Sequence, residues 1–191
     1  MTATPERTGI LLETARLRLR RLTPADLGHL VELDSDPEVM RYLTGGRPTP
    51  LPVVRDELLP TLLDQYDRWP GLGRWAAVDR VHGAFLGWFA LDPPPHPAAD
   101  RTQAELGYRL RRSAWGSGLA TEGSRALVRY AFGGLGLRRV WAETMAVNVR
   151  SRRVMEKAGL RHLRTFHPTW EDPIPGSEHG EVEYHVLRPG C

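Results

Sequence analysis

The chain has 191 residues, of which 41% are hydrophobic, and a formal net charge of +3. These values suit one soluble domain with a buried core. The single cysteine, Cys191, excludes an internal disulfide and a metal site built from several thiolates. Residues 1–9 are polar and only a short apolar run follows them, so we predict neither a signal peptide nor a membrane span and expect a cytoplasmic protein. We expect an N-terminal tail over residues 1–12 and a single domain over residues 13–191.

The basic residues are almost all arginine. Lys and Arg together number 26, and Lys157 is the only lysine. Such a skew indicates a compositional bias, so the arginine count alone is weak evidence for a nucleic-acid partner. Asp and Glu number 23 and are interleaved with the basic residues, which disfavours nucleic-acid binding further.

The hydrophobic patterns predict alternating strands and helices. Leucine alternates with arginine at the start of the 17–22 segment, which is typical of a strand with one buried face. Further strands are predicted over residues 74–79, 84–91, 104–110, 138–147, 160–165 and 181–187. Helices are predicted over residues 25–33, 37–43 and 53–69, from the glycines near 116 to about 133, and over 148–158. The proline-rich residues 92–97 are predicted to form a loop. This order favours an α+β or α/β domain with a mixed, mostly antiparallel sheet.

The segment Trp-Gly-Ser-Gly-Leu-Ala-Thr-Glu at residues 115–122 combines a glycine turn with the start of a helix. Gly116 and Gly118 can adopt positive φ and let a ligand approach the main chain. The first N–H groups of a helix lack intrahelical partners and lie at the positive end of its dipole. The segment therefore predicts either an anion site or an ordinary turn.

Familiar phosphate and hydrolase motifs do not fit this segment. A P-loop needs a lysine after its second glycine, and the lysine of this chain is elsewhere. A dinucleotide fingerprint needs a third glycine where the chain has Thr121. No His-Glu-x-x-His pair and no Gly-x-Ser-x-Gly elbow occurs in the sequence, so neither a metal site nor a serine nucleophile is predicted.

Three motifs resemble those of the GNAT superfamily of N-acyltransferases, and more narrowly its RimJ/RimL-like branch. They are Glu-Leu-Gly-Tyr at 105–108, the 115–122 segment, and Asn-Val-Arg-Ser-Arg-Arg-Val-Met-Glu-Lys-Ala-Gly-Leu at 148–160. The opening residues 12–20 and the closing residues 183–187 also resemble that branch. The resemblance implies the GNAT fold, a mixed and mostly antiparallel sheet of about seven strands flanked by helices. It implies transfer of an acetyl group from acetyl-CoA to a primary amine, directly in a ternary complex and without a metal, and it leaves a homodimer open.

The resemblance also implies where coenzyme A binds. Backbone N–H groups of the glycine turn would hold the pyrophosphate, and the side chains after the next strand would contact the pantetheine arm or a nearby phosphate. The predicted cofactor-binding residues are Leu110, Arg111, Trp115, Gly116, Ser117, Gly118, Leu119, Ala120, Thr121, Asn148 and Ser151. For Arg111 the alternative is a solvated basic edge, and for Asn148 it is a helix N-cap, a role compatible with cofactor binding.

The chemistry requires a base for the amine, a group that holds the thioester oxygen, and a proton for the leaving sulfur. Glu143 and Glu105 are the candidate bases, and either of them is alternatively a solvated strand charge. Gly107 predicts either a bulge or a place where another group approaches the backbone; a bulge would free an N–H near residues 108–110 to hold the thioester oxygen. Many family members carry a tyrosine in the last of these helices as the acid; this chain has none there, which leaves Tyr184 or the reacting ammonium itself.

Two other functions remain open at this point. One is a non-catalytic module that binds or senses an acyl-CoA, and the other is an arginine-rich nucleic-acid-binding protein. The acceptor, which is a protein N-terminus, a small amine or an antibiotic, would enter past the helices of residues 34–69 and the loop of residues 92–102.

Overall fold

A computed structural model describes residues 9–94 and 100–190. In this part of the chain the strands form one eight-stranded sheet with the order β1-β2-β3-β4-β5-β6-β8-β7. All neighbours are antiparallel except β5 and β6, which are parallel. The strands are β1 (Ile10–Glu13), β2 (Leu17–Arg21), β3 (Gly73–Asp79), β4 (Phe85–Asp92), β5 (Gln103–Leu110), β6 (Arg139–Met145), β7 (Arg161–Phe166) and β8 (Glu181–Leu187).

The helices pack on both sides of the sheet. They are α1 (Leu27–Ser35), α2 (Pro37–Thr44), α3 (Leu51–Val53), α4 (Leu59–Arg68), α5 (Leu119–Gly133) and α6 (Val149–Lys157). A π-helical stretch, Val54–Leu58, joins α3 to α4, and short 3-10 turns precede α1, α5 and β8. Within the described residues, no helix is long and apolar enough to cross a membrane.

Two hydrophobic clusters define two faces of the sheet. We call the side covered by α5 and α6, where the resemblance places coenzyme A, the donor face; its buried residues include Leu106, Leu127 and Val140. The side covered by α1, α2 and α4, past which the acceptor is expected to enter, is called the acceptor face, and Leu30 and Trp88 lie in its core. Because side chains alternate along a strand, each strand contributes residues to both faces.

The sheet opens between its two parallel strands. Residues 103–105 of β5 pair with residues 139–141 of β6, and the pairing then stops although both strands continue. Beyond Glu105, β5 pairs only with β4, and β6 pairs only with β8. We call the opening between residues 106–110 of β5 and 142–145 of β6 the wedge. Both α5 and α6 begin just beyond its open end.

Three details differ from the sequence-based expectations. The sheet includes β1, so its pairing with β2 places Ile10 to Leu12 in the domain rather than in a tail; residues 1–8 lie outside the described part. The helix predicted over 53–69 is interrupted by the π-helical stretch just before Pro60, which has no N–H to donate. Only the first three residues of the predicted loop at 92–97 are described, and the first of them, Asp92, ends β4.

Candidate active site

The glycine turn presents a row of backbone donors at the open end of the wedge. Gly116 and Gly118 have φ of +73° and +83°, which a residue with a Cβ adopts only under strain. Within the described segments, no main-chain or side-chain group accepts a hydrogen bond from the N–H groups of residues 116–121. These donors and the dipole of the 15-residue α5 together form an anion cradle.

The turn is held to the edge of the sheet by Arg16 and Glu122. Arg16 Nη2 lies 2.6 Å from Glu122 Oε2, and Arg16 Nη1 donates to the carbonyl of Ser117 at 2.9 Å. Thr14 Oγ1 donates to the other oxygen of Glu122 at 2.6 Å. Glu122 therefore anchors α5 to the β1–β2 connection.

The other predicted residues of the turn shape it from within. The indole N–H of Trp115 donates to the carbonyl of Leu110 at 2.8 Å, and the hydroxyl of Ser117 donates to the carbonyl of Ala114 at 2.7 Å. Leu119 and Ala120 pack against the donor-face core, which directs the first turn of α5. The side chains of these residues thus fix the main chain, while its N–H groups remain available.

The structure places the Arg111 side chain away from the glycine turn. Its guanidinium lies 2.7 Å from Glu32 Oε2 and 3.3 Å from His29 Nδ1, and it stacks over the ring of Phe85. The backbone N–H of Arg111 donates to Leu86. Strand alternation sends residue 111 to the face opposite Leu110, so the predicted cofactor contact of Arg111 is not supported.

A basic groove runs along α5 from the glycine turn. It is lined by Arg16, Gly118, Thr121, Glu122, Arg125, Arg129 and Lys157. Arg125 and Arg129 are exposed on successive turns of α5, and Arg125 Nε donates to the carbonyl of Lys157 at 2.7 Å. Since Glu122 neutralises Arg16, the groove retains positive charge from Arg125, Arg129 and Lys157 next to the anion cradle.

The second wall of the wedge carries a short chain of hydrogen bonds at the start of α6. Asn148 is the N-cap: its Oδ1 accepts from the N–H of Ser151 at 3.3 Å, and its Nδ2 donates to Thr144 Oγ1 at 3.0 Å. The Ser151 hydroxyl in turn accepts from the phenol of Tyr108 at 3.2 Å. The N-cap interpretation of Asn148 is confirmed, and its cofactor role stays a prediction.

Carboxylates line the acceptor face beside the wedge. Glu105 is directly opposite Asp92 on β4, and Glu143 is directly opposite Glu183 on β8. Burial, with repulsion from Asp92 and Glu143, raises the pKa of Glu105 to about 7. Burial, with repulsion from Glu183, raises the pKa of Glu143 as well. A carboxyl whose pKa is near neutrality can act as a base at physiological pH.

Glu181 extends this acidic row along β8. Burial, with repulsion from Glu143, raises its pKa to about 7. Glu183 differs, because Arg139 and Arg164 both pair with it and its side chain is almost fully buried. Within the described residues, neither Glu105 nor Glu181 has a salt-bridge partner, so two carboxyls without a paired cation lie on this face. That part of the chain also contains no group of His, Cys, Asp and Glu arranged to hold a metal ion.

Two sequence-based expectations about the chemistry are wrong. No bulge occurs at Gly107, because β4 and β5 keep one continuous register from Gly87 to Asp92; the free backbone arises instead where β6 leaves β5. Tyr184 is only 1% exposed, accepts from Arg152 Nε and donates to Glu156 Oε1. It therefore fixes α6 on the sheet and does not reach the wedge as a proton donor.

Three residues of the candidate site were not predicted from the sequence. Tyr108 belongs to the Glu-Leu-Gly-Tyr motif, but the motif does not show that its hydroxyl reaches Ser151 on α6. Arg16 belongs to the opening motif, and its link to Glu122 joins residues that are distant in sequence. Glu181 gave no sequence signal, because its position depends on the register of β8 against β6.

Comparisons with known proteins concern the family and the fold. A family model described as "Acetyltransferase (GNAT) domain" matches residues 16–161. The chain is 41% identical over 184 residues to an FsC-acetyl coenzyme A-N(2)-transacetylase of Aspergillus fumigatus, which covers 93% of this chain and 76% of that protein.

Solved structures share the fold. A GNAT-family acetyltransferase from Bacillus anthracis superposes with a TM-score of 0.74 at 22% identity, over 92% of this chain and 97% of the other. A RimL ribosomal L7/L12 alpha-N-protein acetyltransferase in complex with coenzyme A gives 0.77 at 16% identity, over 95% and 99% of the two chains. At these identities the likeness concerns the fold alone.

Proposed function

Since the chain belongs to the GNAT acetyltransferase family and is an acyl-CoA-dependent acetyltransferase, we propose that it transfers acetyl directly from acetyl-CoA to a small primary amine in a ternary complex. The main support for this proposal is that the wedge separates a cradle of free N–H groups from a row of carboxylates with raised pKa. The donor thus binds from one face of the sheet and the acceptor from the other. Membership of the RimJ/RimL-like branch is part of this proposal, as are a cytoplasmic location and a homodimer.

The donor site uses mainly backbone groups. The pyrophosphate of acetyl-CoA lies on the N–H groups of residues 116–121, and the basic groove receives its remaining phosphate. The pantetheine arm runs through the wedge between β5 and the start of α6, past Asn148 and Ser151. N–H groups of β5 that face the wedge have lost β6 as a partner, and they hold the thioester oxygen as negative charge develops on it.

Glu105 is the base for the acceptor amine. An alkylamine with a pKa of about 10.4 is neutral in only roughly one of 10³ molecules at pH 7, so proton removal, directly or through water, accelerates attack. The pKa of Glu105, about 7, matches that task. Glu143 supports it by repulsion, because its negative charge helps to keep the pKa of Glu105 high.

The charge of the acceptor face favours a cationic acceptor. Asp92, Glu105, Glu143 and Glu181 contribute carboxylates there, and among the described residues Arg74 balances Asp92. The printed name of the Aspergillus relative specifies acetylation at an N(2) position. An amine carried by a small cationic molecule accounts for both observations, and a protein N-terminus is the alternative acceptor.

Two experiments test the proposal. One is a calorimetric titration of the protein with coenzyme A, and the other assays a panel of amines and peptides for release of free thiol. We expect coenzyme A binding in the micromolar to millimolar range and thiol release with small cationic amines. Absence of binding at millimolar coenzyme A would contradict the donor site. Binding without transfer across the panel would favour a non-catalytic acyl-CoA module, and salt-sensitive retention on DNA or RNA without a coenzyme A effect would favour the nucleic-acid alternative.

A further inference from the structure

The phenol of Tyr108 occupies the wedge on the side from which the donor enters. Tyr108 lies on β5 beyond Glu105, where pairing with β6 has ended. Its ring packs against Phe89 in the donor-face core, with ring centroids 5.9 Å apart. From this position we propose that Tyr108 is the catalytic acid that protonates the leaving sulfur; the inference rests on the proposed function.

The hydrogen bond from Tyr108 to Ser151 crosses the wedge. It joins β5 to the first turn of α6 at 3.2 Å. Among the described residues, no other side-chain hydrogen bond links these two walls. Ser151 is held in turn by Asn148, the N-cap of α6. An arm threaded between the walls therefore passes the phenol oxygen of Tyr108.

The partner of the phenol is replaceable. Ser151 offers a neutral hydroxyl, and a neutral hydrogen bond contributes little net free energy. A sulfur that acquires negative charge accepts a stronger, charge-assisted bond from the same phenol. The phenol can thus leave Ser151 for the sulfur at the stage when the carbon–sulfur bond breaks.

Base and acid lie on opposite faces of the sheet. Glu105 points to the acceptor face, and Tyr108, three positions further along the strand, points to the donor face. The amine attacks from the side of Glu105, and the sulfur departs toward the side of the glycine turn, where the rest of coenzyme A is bound. A proton donor for the sulfur must lie on that second side.

The proton and bond changes balance over one turnover. Glu105 takes a proton from the acceptor ammonium, and the freed amine forms the carbon–nitrogen bond while the carbonyl electron pair moves onto the thioester oxygen. The carbonyl then re-forms and the carbon–sulfur bond breaks while the phenol proton of Tyr108 moves to the sulfur. The amide nitrogen loses its extra proton to water, the phenolate recovers a proton from water, and Glu105 releases to water the proton that it took. The products are the N-acetyl amine and the free thiol, and burial, which raises the pKa of Tyr108, keeps the phenol protonated between turnovers.

A Tyr108→Phe variant tests this role, with Tyr130→Phe, near the C-terminal end of α5, as the matched control. The phenylalanine keeps the ring packing on Phe89 and removes only the hydroxyl. We expect kcat to fall by roughly 10²-fold, the lower end of what an acid or base contributes, while the Kd for coenzyme A measured by calorimetry stays within about twofold of the wild-type value. We expect the control to keep wild-type kcat, because Tyr130 lies at the end of α5 away from the glycine turn and its hydroxyl makes no hydrogen bond among the described residues.

Site-specific 3-fluorotyrosine at position 108 provides a second readout that does not depend on packing. Its phenol is more acidic, so we expect kcat to fall at high pH in this variant and not in the wild type, because a phenolate has no proton to give. An unchanged kcat in the phenylalanine variant, or an equal loss of kcat and coenzyme A affinity, would overturn the role of Tyr108. The same measurements on the wild-type protein test the proposed function separately. A wild-type protein that neither binds coenzyme A nor releases thiol would overturn that function.

Discussion

The two faces of the wedge offer different groups to a ligand. On the donor face, the proposed site consists of backbone N–H groups of residues 116–121 and the dipole of α5, and side chains such as Glu122 and Trp115 hold the main chain in place. On the acceptor face, the proposed site consists of side-chain carboxylates brought together by strand register. A site made of main chain depends less on side-chain identity than a site made of side chains. Side-chain substitutions are therefore expected to alter the acceptor site more than the donor site.

The largest expected effect concerns the acceptor face. Glu105→Gln keeps the size of the side chain and removes the base, so we expect kcat at pH 7 to fall by about 10² to 10³-fold. Coenzyme A affinity should remain unchanged in calorimetry, because the change is on the opposite face. In the wild type, kcat/KM should rise with pH up to about 7, because Glu105 must lose its proton and its pKa is about 7.

Glu143→Gln is the matched control for Glu105. Removal of the Glu143 charge lowers the pKa of Glu105, so we expect the acidic limb of the pH–activity profile to move to lower pH with kcat largely retained. If Glu143→Gln abolishes turnover and Glu105→Gln does not, Glu143 is the base and Glu105 only raises its pKa.

The next effect concerns the donor face. Gly118→Ala forces a Cβ onto a residue with φ of +83°, which costs roughly 1–2 kcal/mol in the left-handed region. The turn then relaxes away from the cradle conformation, and we expect coenzyme A binding to weaken about tenfold. Calorimetric titration measures this change.

Gly133→Ala is its control within the same helix. Gly133 is an exposed helical residue with no atom near an added Cβ, so alanine there should leave binding unchanged and raise stability slightly. Equal affinity of the Gly118→Ala and Gly133→Ala variants for coenzyme A would show that the turn conformation does not form the anion site.

The contrast between the faces also explains what could be predicted from the sequence. The glycine turn and the start of α5 follow from local chemistry, since glycine permits positive φ and the turn runs directly into an amphipathic helix. Strands β2 to β6 and β8 were predicted because their apolar residues are periodic or continuous. Strand β1 was missed, since Ile-Leu-Leu-Glu after Gly9 is short and does not alternate.

The acceptor face and the proton donor could not be predicted in the same way. Residues such as Glu105 and Glu181 meet only through the register of separate strands, and a single sequence does not specify that register. Tyr108 was overlooked for a related reason, because its partner Ser151 lies on a helix that follows another strand. A bulge at Gly107 was expected to free a backbone N–H group. Such groups become free instead where β5 and β6 diverge.

A smaller loss of coenzyme A affinity is expected from changes in the basic groove. Arg125 and Arg129 are exposed, and each exposed charge contributes up to about 1 kcal/mol. We expect the double variant Arg125→Ala/Arg129→Ala to bind coenzyme A about fivefold more weakly at low salt, and to bind dephospho-coenzyme A almost as the wild type does. Arg153→Ala, which removes an exposed arginine outside the groove, is the control. Equal losses for both ligands in the double variant would place the third phosphate elsewhere.

The smallest effect is on stability and comes from the acceptor face. The pKa of Glu105 is about 7 in the folded protein and close to 4.5 when the chain is unfolded. Between these values the folded state binds more protons than the unfolded state, so stability falls as pH rises from about 4.5 to 7 and the loss is then constant. Glu105→Gln removes this loss, and a gain of 1 kcal/mol raises Tm by about 2–4 °C for a domain of this size. We expect the variant to melt a few degrees above the wild type at pH 8 and together with it near pH 4.5 in paired thermal scans. A variant that is less stable at pH 8 would mean that Glu105 is stabilised by a partner, and a stabilised carboxylate is a poor base.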